Sequence, residues 1–315
     1  MKRFTPLPRY LAGAGGAAFV AVFLLPQSVA IALPGPPDSP PGRDFRPAPN
    51  VSTSAKKDQP GNGNGNGNGG GRPGGGGSGS TGWRDDFSGG SLDTSRWTIA
   101  EERAPGYIPE NHIGHYVPSN VSVQNGYLVI RLTQFNGLVD GRDGVVSLGG
   151  LVRTEEEFLY GTYQWRARMS STATSPNGAG SPVSGSVSAG FNYINNSETE
   201  IDFEFSGHMP GWLWMVNWRN TDPSTGPFES QQTYSSTQVS DISSGFHTYK
   251  FVWERRKITF YVDDVYVTDH VTNVPRAPAH FMINHWGTNN LFWGGQATVG
   301  PTRYYYVDWA SFTPQ

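Results

Sequence analysis

Glu200, Asp202 and Glu204 occupy alternate positions of Glu200-Ile201-Asp202-Phe203-Glu204-Phe205, with Glu198-Thr199 just before them. Successive side chains on a β-strand point to opposite faces. A strand here therefore sets the three carboxylates in one row, with Glu198 extending it, while Ile201, Phe203 and Phe205 face a core. No lysine or arginine interrupts the row, and like charges this close disfavour each other's ionised form. Three readings fit: a solvated polar face, a Ca²⁺ site, which also collects carboxylates, or a pair of catalytic carboxylates with a helper between them. The last would exploit unequal environments, keeping one carboxyl ionised while another holds its proton.

The remaining composition narrows the class. The 315 residues include 26 Asp and Glu against 23 Lys and Arg, a formal net charge of −3, and no basic stripe, so nothing points to nucleic acid. The absence of cysteine excludes disulfides, thiolate metal sites and cysteine nucleophiles. Aromatic residues make up 13% and charged residues only 16% of a glycine-rich chain. With short apolar runs, that reads as all-β.

The N-terminus reads as a secretory signal over residues 1–32. Lys2, Arg3 and Arg9 precede an apolar stretch from Leu11 to Leu25, and Ala30-Ile31-Ala32 has the small-x-small cleavage pattern. Cleavage is expected after Ala32, with Ala30 as a second site. If uncleaved, the segment would tether the protein to a membrane, although it is shorter than the ~20 residues a spanning helix prefers. Residues 33–82 are rich in Pro, Gly and Asn, including an alternating Gly-Asn run from Gly61, and read as a disordered linker. The folded domain is expected over 83–315, a length that suits one β-sandwich.

Strand candidates recur between turn signals: 120–123 before and 127–133 after Asn125-Gly126, then 162–169, 186–194, the acidic stretch, 213–218, 247–253, 257–262, 266–269, 281–286 and 304–312. Asp263-Asp264 marks a hairpin. No segment of useful length has helical periodicity. Two packed antiparallel sheets are the natural architecture. The polar stretch 171–182 reads as a surface loop or the edge of a cleft.

Glu200-Ile-Asp-Phe-Glu-Phe resembles the signature of glycoside hydrolase family 16, in the form with no extra residue between Asp202 and Glu204. Five further blocks fall in family order: Tyr160-Gly-Thr-Tyr, Gly245-Phe-His-Thr-Tyr, Ile258-Thr-Phe-Tyr-Val-Asp, Met282-Ile-Asn-His-Trp and Tyr306-Val-Asp-Trp. The form without that extra residue resembles bacterial lichenases, and the plant xyloglucan-modifying enzymes, more than laminarinases or agarases. The resemblance implies a jelly-roll sandwich with the acidic strand across a concave cleft, Glu200 as nucleophile, Glu204 as general acid/base and Asp202 as helper. It implies substrate contacts from Phe191, Tyr193, Asn217, Asn284, Trp286 and Arg153. Two positions depart from the pattern: Leu151 replaces the Glu of a Glu-x-Arg sugar contact, and Arg219 replaces a Tyr.

The same resemblance implies a structural Ca²⁺ held by the Asp308 side chain and by backbone carbonyls at Gly126 and near Asp86, and no cofactor for catalysis. The expected activity is endo-hydrolysis of a β-glucan of the lichenan type by a secreted monomer. The alternatives are a transglycosylase using the same carboxylates and a lectin-like module that only binds glycan. Such modules usually lose one of the paired carboxylates, and both are present here.

Overall fold

A computed structural model describes residues 81–315. The expected signal and nearly all of the expected linker lie outside the described residues.

Seventeen strands follow in chain order. The first seven are β1 Trp83–Asp85, β2 Trp97–Ile99, β3 Glu102–Ile108, β4 His112–Tyr116, β5 Val121–Gln124, β6 Tyr127–Val139 and β7 Arg142–Thr154. Next come β8 Gly161–Ser171, β9 Ser186–Ile194, β10 Thr199–Ser206, β11 Trp212–Trp218 and β12 Gln232–Gln238. The last five are β13 His247–Glu254, β14 Lys257–Val262, β15 Val265–His270, β16 His280–Gly287 and β17 Arg303–Pro314. The described residues contain no α-helix, and none of their helical turns is long and apolar enough to cross a membrane.

The strands form two layers. One runs β5-β6-β17-β8-β13-β14-β15, with β1 pairing on the C-terminal half of β17. The other runs β2-β7-β16-β9-β10-β11-β12. All of these pairings are antiparallel. The long strands β6 and β7 pair with each other and link the layers, and the β3–β4 hairpin docks on β7 through the parallel β4–β7 pair. The all-β sandwich expected from the sequence is the fold observed.

The layers meet through inward-facing aromatic residues. Trp165 of β8 packs against Phe203 of β10 at 5.7 Å and Phe281 of β16 at 5.5 Å, and Phe203 also meets Phe260 of β14 at 5.2 Å. All four are fully buried. Room for Trp165 comes from Gly190, the register partner of Phe203, where a Cβ would stand 2.3 Å from the indole. The loop after β8 is stitched down by buried Arg168, whose Nη1 donates to the carbonyls of Pro176 (2.9 Å) and Gly178 (2.7 Å). Anchored this way, β10 has one face fixed to the core and the other free for chemistry.

Candidate active site

β10 lies between β9 and β11, and the register fixes what each carboxylate meets. Glu200 stands opposite Tyr193 and Trp218, Asp202 opposite Phe191 and Val216, and Glu204 opposite Ala189 and Trp214. Residues directly opposite on antiparallel strands share a face. The acidic face looks away from the main core, yet Glu200, Asp202 and Glu204 are only 5%, 4% and 9% exposed. That face must therefore be walled. The walls are a second apolar cluster that includes Phe191, Trp214, Trp218, Trp286 and Trp293. Trp214 and Trp293 meet edge to face at 5.1 Å.

Burial disfavours the charged form of all three carboxyls. Glu200 is pushed up to about 8, chiefly by burial, while a hydrogen bond from the Ser197 hydroxyl to Glu200 Oε2 pulls the other way. Asp202 is raised well above the usual carboxylate range by burial, then by the charges of Glu200 and Glu204. Glu204 is also raised well above that range, by burial and then by the charge of Glu200. Among the described residues, only Glu200 of the three receives a side-chain donor. A donated hydrogen bond favours the ionised form, and a charge on Glu200 disfavours ionisation of the other two.

The structure gathers most of the substrate residues expected from the sequence around this row. Phe191 and Tyr193 lie beside Asp202 and Glu200. The Tyr193 hydroxyl is raised by burial and then by the charge of Glu200. Asn284 and Arg153 continue the same face, in register with Ala189 and Met282 respectively. Asn284 Nδ2 donates to the Tyr116 hydroxyl at 3.0 Å, leaving Asn284 Oδ1 buried without a partner. Trp286 shares the face but is 2% exposed, and a Cβ on Gly106 of the β3–β4 hairpin would come within 3.0 Å of its ring. The hairpin thus covers the indole.

Asn217 does not join the site. Its register partner is Ile201, so its side chain points to the core face, opposite the carboxylates. There Nδ2 donates to the carbonyls of Thr272 (3.2 Å) and Asn273 (2.7 Å), and Oδ1 accepts from His270 Nδ1 (2.7 Å). Its role is to fasten the loop after β15 to β11. Glu198 also departs from the expected row: it lies in the turn before β10, where Asn195 Nδ2 donates to its Oε2 at 3.1 Å. Leu151 is buried opposite Asn284. Glu102 of β3 lies near enough for the Arg153 charge to act on its carboxyl. Arg219 follows β11, its N–H donating to Gln231 O at 3.0 Å.

The residues that sequence reasoning missed are Ser197, Tyr116, Trp214, Trp218 and Trp293. Trp214 and Trp218 had a readable signal, since alternation along β11 puts them with Val216 once Glu200 is paired with Trp218. The indole N–H groups of Trp218 and Trp293 are buried without protein partners.

Of the calcium donors that the resemblance implies, the one side chain, Asp308, already carries a cationic partner. Asp308 Oδ2 accepts from Arg166 Nη1 at 2.6 Å, and the guanidinium also lies 4.7 Å over the Phe246 ring. Asp86 is paired with Arg84 at 2.6 Å. Gly126 sits in the β5–β6 turn with φ of 81°. Among the described residues, no group of three or more His, Cys, Asp or Glu converges on a metal position.

Residues 110–311, which include the whole carboxylate strand and its neighbours, match the family of glycosyl hydrolases family 16. The chain belongs to that family. A beta-glucanase of Acetivibrio thermocellus is 29% identical over 174 residues, 54% of this chain and 45% of that protein. An endo-1,3-1,4-beta-glycanase, ExoK, of Rhizobium meliloti is 26% identical over 242 residues, 73% of this chain and 78% of that protein. The chain thus spans about half the length of the first of these relatives. Among solved folds, a lichenase from a mouse hindgut metagenome superposes with a TM-score of 0.59 at 23% identity, over 75% of this chain and 100% of that one. The Bacillus licheniformis beta-glucanase gives 0.59 at 20% identity, over 75% and 99%. These likenesses support the family 16 sandwich.

Proposed function

We propose that this family 16 domain is an endo-acting β-glucanase that hydrolyses a lichenan-type β-1,3-1,4-glucan with retention of anomeric configuration. The observation that carries the reading is the unequal treatment of three buried carboxyls on one face, with a hydroxyl donor given to Glu200 alone. Retaining hydrolysis needs that inequality.

In the first step the ionised Glu200 attacks the anomeric carbon while Glu204 gives its proton to the departing glycosidic oxygen. The products are a glycosyl ester on Glu200 and a shortened glucan with a new hydroxyl. In the second step Glu204, now a carboxylate, takes a proton from water as that water attacks the same carbon. Glu200 leaves as a carboxylate and Glu204 ends protonated, so the site is restored. Asp202, between the two, adds a carboxyl whose proton is held first by burial and then by the charge of Glu200. The aromatic walls of Trp214, Trp218 and Phe191 suit the flat apolar faces of pyranose rings.

Incubation with lichenan should release new reducing ends and short oligosaccharides, and Glu200→Gln and Glu204→Gln should each abolish that release while leaving the fold intact. Wild-type protein that releases no reducing ends from lichenan, laminarin or xyloglucan would overturn the hydrolase reading. The proposal extends to export: residues 1–32 direct secretion, so N-terminal mass spectrometry of culture supernatant should find a chain beginning just after Ala32 or Ala30. Protein retained with its N-terminus uncut would refute it.

A further inference from the structure

Ser197 is 1% exposed and lies in the turn that joins β9 to β10. Asn195, Asn196 and Ser197 adopt φ of 44°, 49° and 62° in succession. Left-handed backbone is uncommon for residues other than glycine, and a run of three persists only where surroundings impose it. Here they do. Asn220 N–H donates to Ser197 O at 2.8 Å and Asn220 Nδ2 to Asn196 O at 2.9 Å. Asn196 Nδ2 donates to Pro223 O at 2.8 Å, and Glu198 N–H closes back on Asn195 O at 3.0 Å. Two loops are thus clamped together, and the product of the clamp is a hydroxyl aimed at Glu200 Oε2.

We propose that Ser197 is a positioning residue for the nucleophile: its hydroxyl fixes Glu200 by Oε2, leaves Oε1 to attack, and selects Glu200 as the carboxyl that ionises first. The inference rests on the reading of Glu200 as nucleophile. A hydrogen bond donated to a carboxylate stabilises the charged form. Asp202 and Glu204 are buried as deeply and accept no such bond, so without Ser197 the site loses the feature that breaks its symmetry. The proton stays on the serine oxygen throughout; the residue orients and does not transfer.

The test uses Ser197→Gly, which the left-handed backbone accommodates, and Ser197→Cys, which keeps the shape but is a weak donor. The full protein is assayed for kcat and KM on a soluble mixed-linkage glucan from acid to alkaline pH, beside Glu200→Gln. In both Ser197 variants the acid limb of kcat/KM should move up by about one pH unit, equivalent to about tenfold at a fixed acid pH, with KM essentially unchanged. A purely structural role would lower the whole profile evenly. An acid limb that stays in place, with Glu200→Gln inactive, overturns this inference and leaves the nucleophile assignment standing. An active Glu200→Gln overturns both.

Discussion

Trp218 stands directly opposite Glu200 across the β10–β11 pair, on the same face, and its indole N–H is buried with no partner among the described residues. A buried donor left unpaired costs free energy unless something else satisfies it, and beside a nucleophilic carboxylate the available acceptors are a water or a sugar hydroxyl. Trp218→Phe keeps an aromatic wall and removes the donor. It should lower kcat/KM on lichenan by about tenfold, the worth of roughly one hydrogen bond, with Tm little changed. Kinetics equal to wild type would remove Trp218 from the substrate contacts.

Asn217 makes the opposite prediction from the one the sequence invited. Its amide bonds three groups on the core side, so Asn217→Ala should cost about 2–4 kcal/mol of stability by stranding buried polar partners. KM of the surviving folded enzyme should match wild type. Denaturant melts and steady-state kinetics check both, and a raised KM with unchanged stability would return Asn217 to the site.

The carboxyl cluster ties stability to pH with a defined sign. Glu200, Asp202 and Glu204 have folded-state pKa values raised above the ordinary 4.5, 3.8 and 4.5, with Glu200 at about 8. Between the ordinary and raised values the folded chain holds protons that the unfolded chain has released, so stability falls as pH rises through that window. Asp202→Asn and Glu204→Gln remove the cost. Each should raise Tm at pH 7.5 by about 2–4 °C for every kcal/mol relieved, with the gain vanishing toward pH 4. Calorimetry at both pH values decides; a gain of equal size at each would contradict the cluster's protonation.

Arg166 Nη1 already neutralises Asp308, donating to its Oδ2 at 2.6 Å. Added calcium should therefore leave Tm within about 1 °C of the chelator-treated protein, whereas a site filled at a hundred times its Kd would add about 2.7 kcal/mol. A calcium-dependent rise in Tm would show that the guanidinium yields to the ion.

How far the sequence could be read follows from what each residue's neighbours are. β9 and β14 were legible to the residue, and β10 nearly so, because alternation and turn signals are local properties. β7 was not: Gly149 and Gly150 interrupt it, and its partners across the acidic-face layer, β16 and β2, are distant in the chain. β12 was missed because Gln232–Gln238 is almost wholly polar, as an edge strand with one neighbour can be. β3 carries Pro105 and Gly106, which read as a break. In the site, the carboxylates were visible from period two alone. The error at Asn217 arose because its facing depends on register with β10, which no local pattern states. Ser197 was hidden for a related reason: its orientation depends on a turn held by Asn220, more than twenty residues on.

The central claim is that Glu200 forms the glycosyl ester. Glu200→Ala, assayed on an activated β-glucoside oligosaccharide with and without sodium azide, tests it most directly. The small anion can enter the space vacated by the carboxylate and attack in its place. The expected result is an enzyme that is inactive alone and regains turnover with azide, releasing an α-glycosyl azide identified by NMR. Activity without azide, or a β-glycosyl azide as the rescued product, would contradict the assignment.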